Sequence, residues 1–153
     1  MLRVIFPDGS VKEYRERVRP IDIAHEISPR LAKSAIAATV NGSVVDLTAP
    51  LPQEGEIQFR LLTDKDPESL TVLRHSAAHI MARAVLRLFP GAKLAFGPPV
   101  ENGFYYDIAM DRSLTDDDLP RIEEEMAKII ARDEPFERIE LPWEKAVEVC
   151  RDL

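Results

Sequence analysis

The stretch RHSAAHIMARAV, residues 74–85, holds two of the chain's three histidines. Residues four apart on a helix share a face, so His75 and His79 stack their imidazoles on one side. Imidazole titrates near neutral pH, and such a pair can give or take a proton or supply two corners of a metal site. A zinc protease would need the glutamate of HExxH to activate water, but position 76 is serine. A metal site would need at least one more protein ligand. His25 belongs to a separate segment, and Cys150 stands alone in VEVC, a setting more typical of packing than of ligation. The histidines are half a site.

The element that carries them is the strongest helical pattern in the chain. Residues 67–88 open with Pro67 and Glu68, both suited to a helix N-terminus, and stop at Phe89-Pro90-Gly91. Leu70, Leu73, Ala77, Ile80, Met81, Ala84 and Leu88 recur at three and four and mark the expected core stripe. On a helical wheel the histidines fall roughly opposite that stripe, near Val72, Ala82 and Arg83. A core histidine is disfavoured, which leaves a solvated pair or a site.

On either side the chain divides into two patterns. LRVIFPDGSVKEY reads as a hairpin turning at Pro7-Asp8-Gly9. PIDIAHEI reads as a short helix with Ile23 and Ile27 on one face. AIAATVNGSVVDL is a second hairpin turning at Asn41-Gly42, and GEIQFRLL ends the segment with Ile57, Phe59 and Leu61 alternating inward. TDKDP, residues 63–67, makes a linker. After the histidine helix, KLAFGPPVENGFYYDI gives two extended runs around Glu101-Asn102-Gly103, with Gly103 supplying the turn conformation. An acidic helix follows over Leu119–Arg132, with Ile122, Met126, Ile129 and Ile130 inward. PFERIEL reads as a short strand, and a helix starts at Trp143 behind Pro142.

Composition narrows the function classes. The chain has 153 residues, 45% hydrophobic and 31% charged, as in ordinary globular proteins. No apolar run approaches the roughly 18 residues of a membrane span, and the N-terminus turns too early for a signal peptide. A single cysteine excludes an internal disulfide framework and points to a cytoplasmic protein. The net charge of −7 arises after residue 62, where twelve Lys/Arg face nineteen Asp/Glu, whereas the first 62 residues carry eight of each. Non-specific nucleic-acid binding is disfavoured by that balance, so any RNA contact must use local patches.

Hairpin, helix, hairpin and final strand, with PDGS at 7–10, the helix carrying Asp22, Ile23 and Ala24, and AATVNGSVVDL at 37–47, together resemble the β-grasp, ubiquitin-like TGS domain. Behind it, RHSAAHIMARAV, then AFGPPVENGFYYDI and the acidic helix, are similar to the editing domain of bacterial threonyl-tRNA synthetases. The resemblance covers the whole chain. It implies an α+β fold: a TGS domain at 1–62, a linker at 63–67, and an incomplete α+β editing domain at 68–153.

The resemblance also implies a function. The full enzymes charge tRNA(Thr) with threonine in a separate catalytic domain that uses ATP, Mg²⁺ and zinc. No cofactor is expected in this region. The editing domain hydrolyses tRNA wrongly charged with serine, using an HxxxH helix together with a Cys-x-x-x-His pair further along. His75 and His79 match the first element; the second has no match in these 153 residues, and Cys150 has no histidine four residues on. Tyr106 matches an aromatic lining the family's pocket, although a tyrosine packed in a hairpin is the plainer reading. The expected partner is tRNA(Thr), bound weakly or not at all by this region alone, with no membrane association. Homodimerisation would belong to the catalytic part. Two other readings stand beside this one: a stand-alone TGS-type module binding RNA or a ligand without catalysis, and a zinc-dependent trans-editing protein similar to the alanyl-tRNA family.

Overall fold

The computed structural model describes residues 1–135 and 139–151. Its first part is the expected α+β unit. Strands β1 (Leu2–Ile5) and β2 (Val11–Tyr14) pair antiparallel around the Pro7-Asp8-Gly9 turn. Gly9 sits at φ +81°, a conformation glycine reaches without steric cost. The Asp8 carboxylate accepts bonds from the Ser10 backbone N–H and hydroxyl at 2.9 and 2.6 Å, which holds it below the usual carboxylate range. Helix α1 (Pro20–Ile27) begins on its proline, and the Asp22 side chain accepts a bond from the Arg19 backbone N–H at 2.9 Å.

A second short helix, α2 (Pro29–Ser34), follows directly. The sequence reading has no helix here. Its signals are local: the Ser28 hydroxyl accepts from the Leu31 N–H at 3.0 Å, and Pro29 occupies the first helical position. Ile23 and Ala24 are buried, but Ile27, expected beside Ile23, is exposed, because α1 ends there.

Strands β3 (Ala35–Val40) and β4 (Ser43–Val45) form the second hairpin, and β5 (Gly55–Thr63) completes the sheet. The order is β2-β1-β5-β3-β4, with β1 and β5 parallel and the other neighbours antiparallel. Ile57 and Phe59 point inward as expected and Leu61 packs, partly buried, against the same core, while Leu62 on the opposite face is fully buried. A bulge in β3 between Ala35 and Ala37 interrupts the β3–β5 register only beyond the Ala37–Leu62 pair. Leu2, Val4, Val18, Ile23, Ala38, Leu51, Ile57 and Phe59 close this core.

Thr63–Asp66 make one tight turn, in which Asp66 N–H donates to Thr63 carbonyl oxygen at 3.0 Å, and α3 (Pro67–Leu88) starts at once. Arg60, near the end of β5, reaches Asp66 at 2.7 Å and Glu68 at 2.5 Å. The turn and the first helical turn are thereby tied to the sheet.

Beyond α3 the two expected extended runs are broken into four two-residue strands. These are β6 (Lys93–Leu94), β7 (Pro99–Val100), β8 (Gly103–Phe104) and β9 (Ile108–Ala109), paired as β6–β9 and β7–β8. Helix α4 (Asp118–Ala131) packs on the second half of α3. Its first residue is locked in place: the buried Asp118 carboxylate receives both Arg112 guanidinium nitrogens, at 2.7 and 2.8 Å, and the Thr115 N–H at 2.9 Å, which drive its pKa far down. Helix α5 (Trp143–Arg151) follows Pro142 as expected and buries none of its residues. The expected strand PFERIEL falls partly on residues 136–138, outside the described residues; Pro135 and Ile139–Leu141 are not in a strand.

The second core is smaller: Ala84 and Val85 of α3 meet Ile122 and Ile129 of α4. Ile130, expected inward, is exposed, since neighbouring helical residues point about 100° apart and Ile129 takes the α3 side. The stripe on α3 also departs from expectation. Ile80, Met81, Ala84 and Leu88 pack toward α4, but Leu70 and Leu73 are exposed, and Ser69, Ala78 and Ala82 are buried instead. A single stripe needs one partner along the whole helix. Helix α3 has several, because it also contacts β7, β8 and the β3–β5 part of the sheet.

Candidate functional site

Helix α3 presents the histidines as their spacing requires. Both are exposed, and their Nε2 atoms lie 3.0 Å apart, within hydrogen-bond distance. The rings are tilted by 33° with centroids 4.7 Å apart. One Nε2 must donate and the other accept, so one of the pair presents a bare nitrogen. Local desolvation, followed by the charge of His75, lowers the His79 pKa below the ordinary imidazole value. Neutral His79 is the favoured form, and a neutral imidazole can act as base or acceptor.

The histidines are off the α4-facing stripe, as the wheel places them. They are not surrounded by solvent, however. Three residues beyond each lies a buried alanine, Ala78 and Ala82, so the pair borders a second buried face. Ala82, placed with the open face in the sequence reading, belongs to that buried face.

Beside His79 a cleft of about 300 Å³ opens between α3 and the end of α4. Ile129 and Ile130 give it an apolar lining. Arg83, one helical turn beyond His79, pairs across it with Glu134 at 2.5 Å. Asp133 at φ +48° turns the chain at this end of α4 and brings Glu134 to the rim. Arg83 is visible in the sequence as the next residue at the histidine spacing. Glu134 lies 51 residues away and has no local signal.

Tyr106 is half-buried on the segment between β8 and β9. Its ring rests against the backbone of Gly97. Among the described residues no hydrogen bond or ring contact joins it to either histidine, and it does not line the cleft. The structure brings His75 and His79 together.

Arg74 supplies the link between the two parts. Its guanidinium donates to the carbonyl oxygens of Val100 and Glu101, which fastens the β7–β8 turn to the helix one residue before His75. His25 is exposed on α1, in the other unit. Cys150 is free and exposed on α5, so it does not pack as its sequence setting suggests. No group of three or more His, Cys, Asp or Glu that could hold a metal ion occurs among the described residues. No helix among them is long and apolar enough to cross a membrane.

Residues 2–60 match the TGS domain family. Over nearly its whole length the chain is similar to proteins described as threonine–tRNA ligases. It is 47% identical to that of Rhodopirellula baltica over 99% of this chain and 21% of that protein. It is 46% identical to that of Geobacillus kaustophilus over 100% and 23%, and 50% identical to that of Symbiobacterium thermophilum over 95% and 22%. The chain thus spans less than a quarter of the length of these curated relatives.

Proposed function

Starting from a chain that opens with a TGS domain and matches the N-terminal region of threonyl-tRNA synthetases throughout its length, we propose that the described residues from 68 onward form one wall of a site that hydrolyses seryl-tRNA(Thr). The observation that carries this reading is the exposed His75–His79 pair, with its Nε2 atoms 3.0 Å apart, on a helix held between two packed faces. The TGS unit and the wall together serve an enzyme that charges tRNA(Thr) with threonine.

Serine differs from threonine by one missing methyl, and a missing methyl in a pocket is worth only about 1–3 kcal/mol, so a hydrolytic second check has a physical purpose. The reaction is attack of water on the seryl ester. A neutral imidazole of the pair orients the water or takes its proton as the new C–O bond forms. The ester oxygen leaves as the ribose hydroxyl after receiving a proton, and hydrogen-bond donors stabilise the oxyanion in between. The remaining groups would come from the Cys-x-x-x-His pair of the longer proteins, so this chain alone has little deacylase activity. ATP, Mg²⁺ and zinc serve the charging reaction. The described residues hold no metal-binding group of three donors, and no step here runs through those cofactors.

The test compares this chain with a longer polypeptide that includes the Cys-x-x-x-His pair, each incubated with seryl-tRNA(Thr). The longer form should deacylate, and His75→Ala or His79→Ala should slow it by about 10²–10⁴-fold if the altered histidine is the base. Equal rates from the short and long forms would sink the two-wall reading. Unchanged rates in both histidine variants would remove the pair from the chemistry.

A further inference from the structure

We propose that Gly97 is a positioning residue for Tyr106: its missing side chain is the seat that sets where the tyrosine ring stands in the proposed hydrolytic site. The inference rests on the hydrolytic site proposed above and on the resemblance that places Tyr106 in its lining. A Cβ added at Gly97 would lie 2.5 Å from Cε2 and 2.6 Å from Cγ of Tyr106, and closer still to Cδ2. Ordinary carbon contacts begin near 3.5 Å, so one edge of the ring occupies the space a side chain would take.

Conformation is not the reason for glycine here. Gly9, Gly42, Gly55, Gly91 and Gly103 all have positive φ, and Gly97 does not. Alanine could adopt its backbone geometry, and only the ring stands in the way.

The seat is braced on both sides. Ala95 N–H donates to Asp107 carbonyl oxygen at 2.9 Å, and Asp107 N–H to Phe96 carbonyl oxygen at 2.7 Å. Beyond it, Pro99 pairs with Phe104 and Val100 with Gly103. Neither chain can slide past the other to make room. Arg74 ties the Val100–Glu101 end of this segment to α3 beside His75, so a shift of the seat is a shift of Tyr106 relative to the histidines.

The test pairs Gly97→Ala with Tyr106→Ala, singly and together, with two readouts. In this chain, Gly97→Ala should move the Tyr106 ring resonances. In the longer polypeptide, Gly97→Ala and Tyr106→Ala should each raise KM for seryl-tRNA(Thr) by about ten-fold with kcat within about two-fold. The double variant should be no worse than Tyr106→Ala, because without the ring the added methyl strikes nothing. If Gly97→Ala alone does not fold, recovery of folding in the double variant supports the seat equally. Unmoved Tyr106 resonances, or single effects that multiply in the double variant, would overturn the proposal whatever the site does. Normal deacylation by Tyr106→Ala would remove Tyr106 from the hydrolytic site and overturn the proposal through its premise, and the ring resonances tell the two failures apart.

Discussion

Two imidazoles whose Nε2 atoms are 3.0 Å apart share one proton readily and two poorly, since a doubly protonated pair would face N–H against N–H. His79 titrates below 6.5, its ordinary value, chiefly through desolvation, with the charge of His75 the smaller cause. The sign for stability follows. Between the lowered folded value and 6.5 the unfolded chain binds more proton, so acidification through that window destabilises the fold, and above it this group adds no pH dependence. Ring-proton NMR titration should show His79 below the ordinary value, and His75→Ala should bring it part of the way back up. A full return would mean that charge, not desolvation, is the main cause. A deacylase relying on neutral His79 should keep its rate somewhat below pH 6.5.

Among the elements, turns were the most legible because their chemistry is local. Asn41-Gly42 announces a hairpin, and both residues take positive φ, +50° and +83°. Asn41 does more than tolerate the turn: its side chain accepts the Gln58 N–H at 2.9 Å, and its own N–H donates to the Gln58 carbonyl oxygen at 2.9 Å, which pins the hairpin to β5. Asn41→Ala should cost about 1–2 kcal/mol from the lost bond and the left-handed backbone together, read as a lower midpoint in urea with an unchanged slope. An unchanged midpoint would show that the pin contributes nothing. Strands after α3 were harder to read. Two-residue pairs carry too few side chains for a period-2 pattern, so KLAFGPPVENGFYYDI looks like two long runs where the structure has four short strands.

At the scale of the molecule the described residues form two cores of unequal size, eight buried apolar residues in one and four in the other. Arg60, with Asp66 and Glu68, joins the sheet to the start of α3. These side chains are half-buried at the surface, where such pairs are worth about 0–1 kcal/mol each, so the joint guides geometry more than stability. The larger core should outlast the smaller. Ile57→Ala and Ile129→Ala each remove a buried isoleucine, at about 2–5 kcal/mol, but from different cores. Hydrogen exchange should show Ile129→Ala exposing α3 and α4 while the β1–β5 amides stay protected. Loss of protection in both parts together would mean that the cores unfold as one.

What the sequence determined by itself was whatever depends on neighbours along the chain. The hairpins at Asp8-Gly9 and Asn41-Gly42, the 67–88 helix and the stacking of His75 on His79 follow from turn residues and helical spacing. Tertiary structure decided which faces are covered, because burial depends on partners distant in sequence. It left Leu70 and Leu73 exposed and buried Ala78, Ala82 and, on the face of β5 opposite Phe59, Leu62. It also brought Glu134 across to Arg83 and laid Tyr106 on Gly97, contacts between residues with no spacing signal to link them.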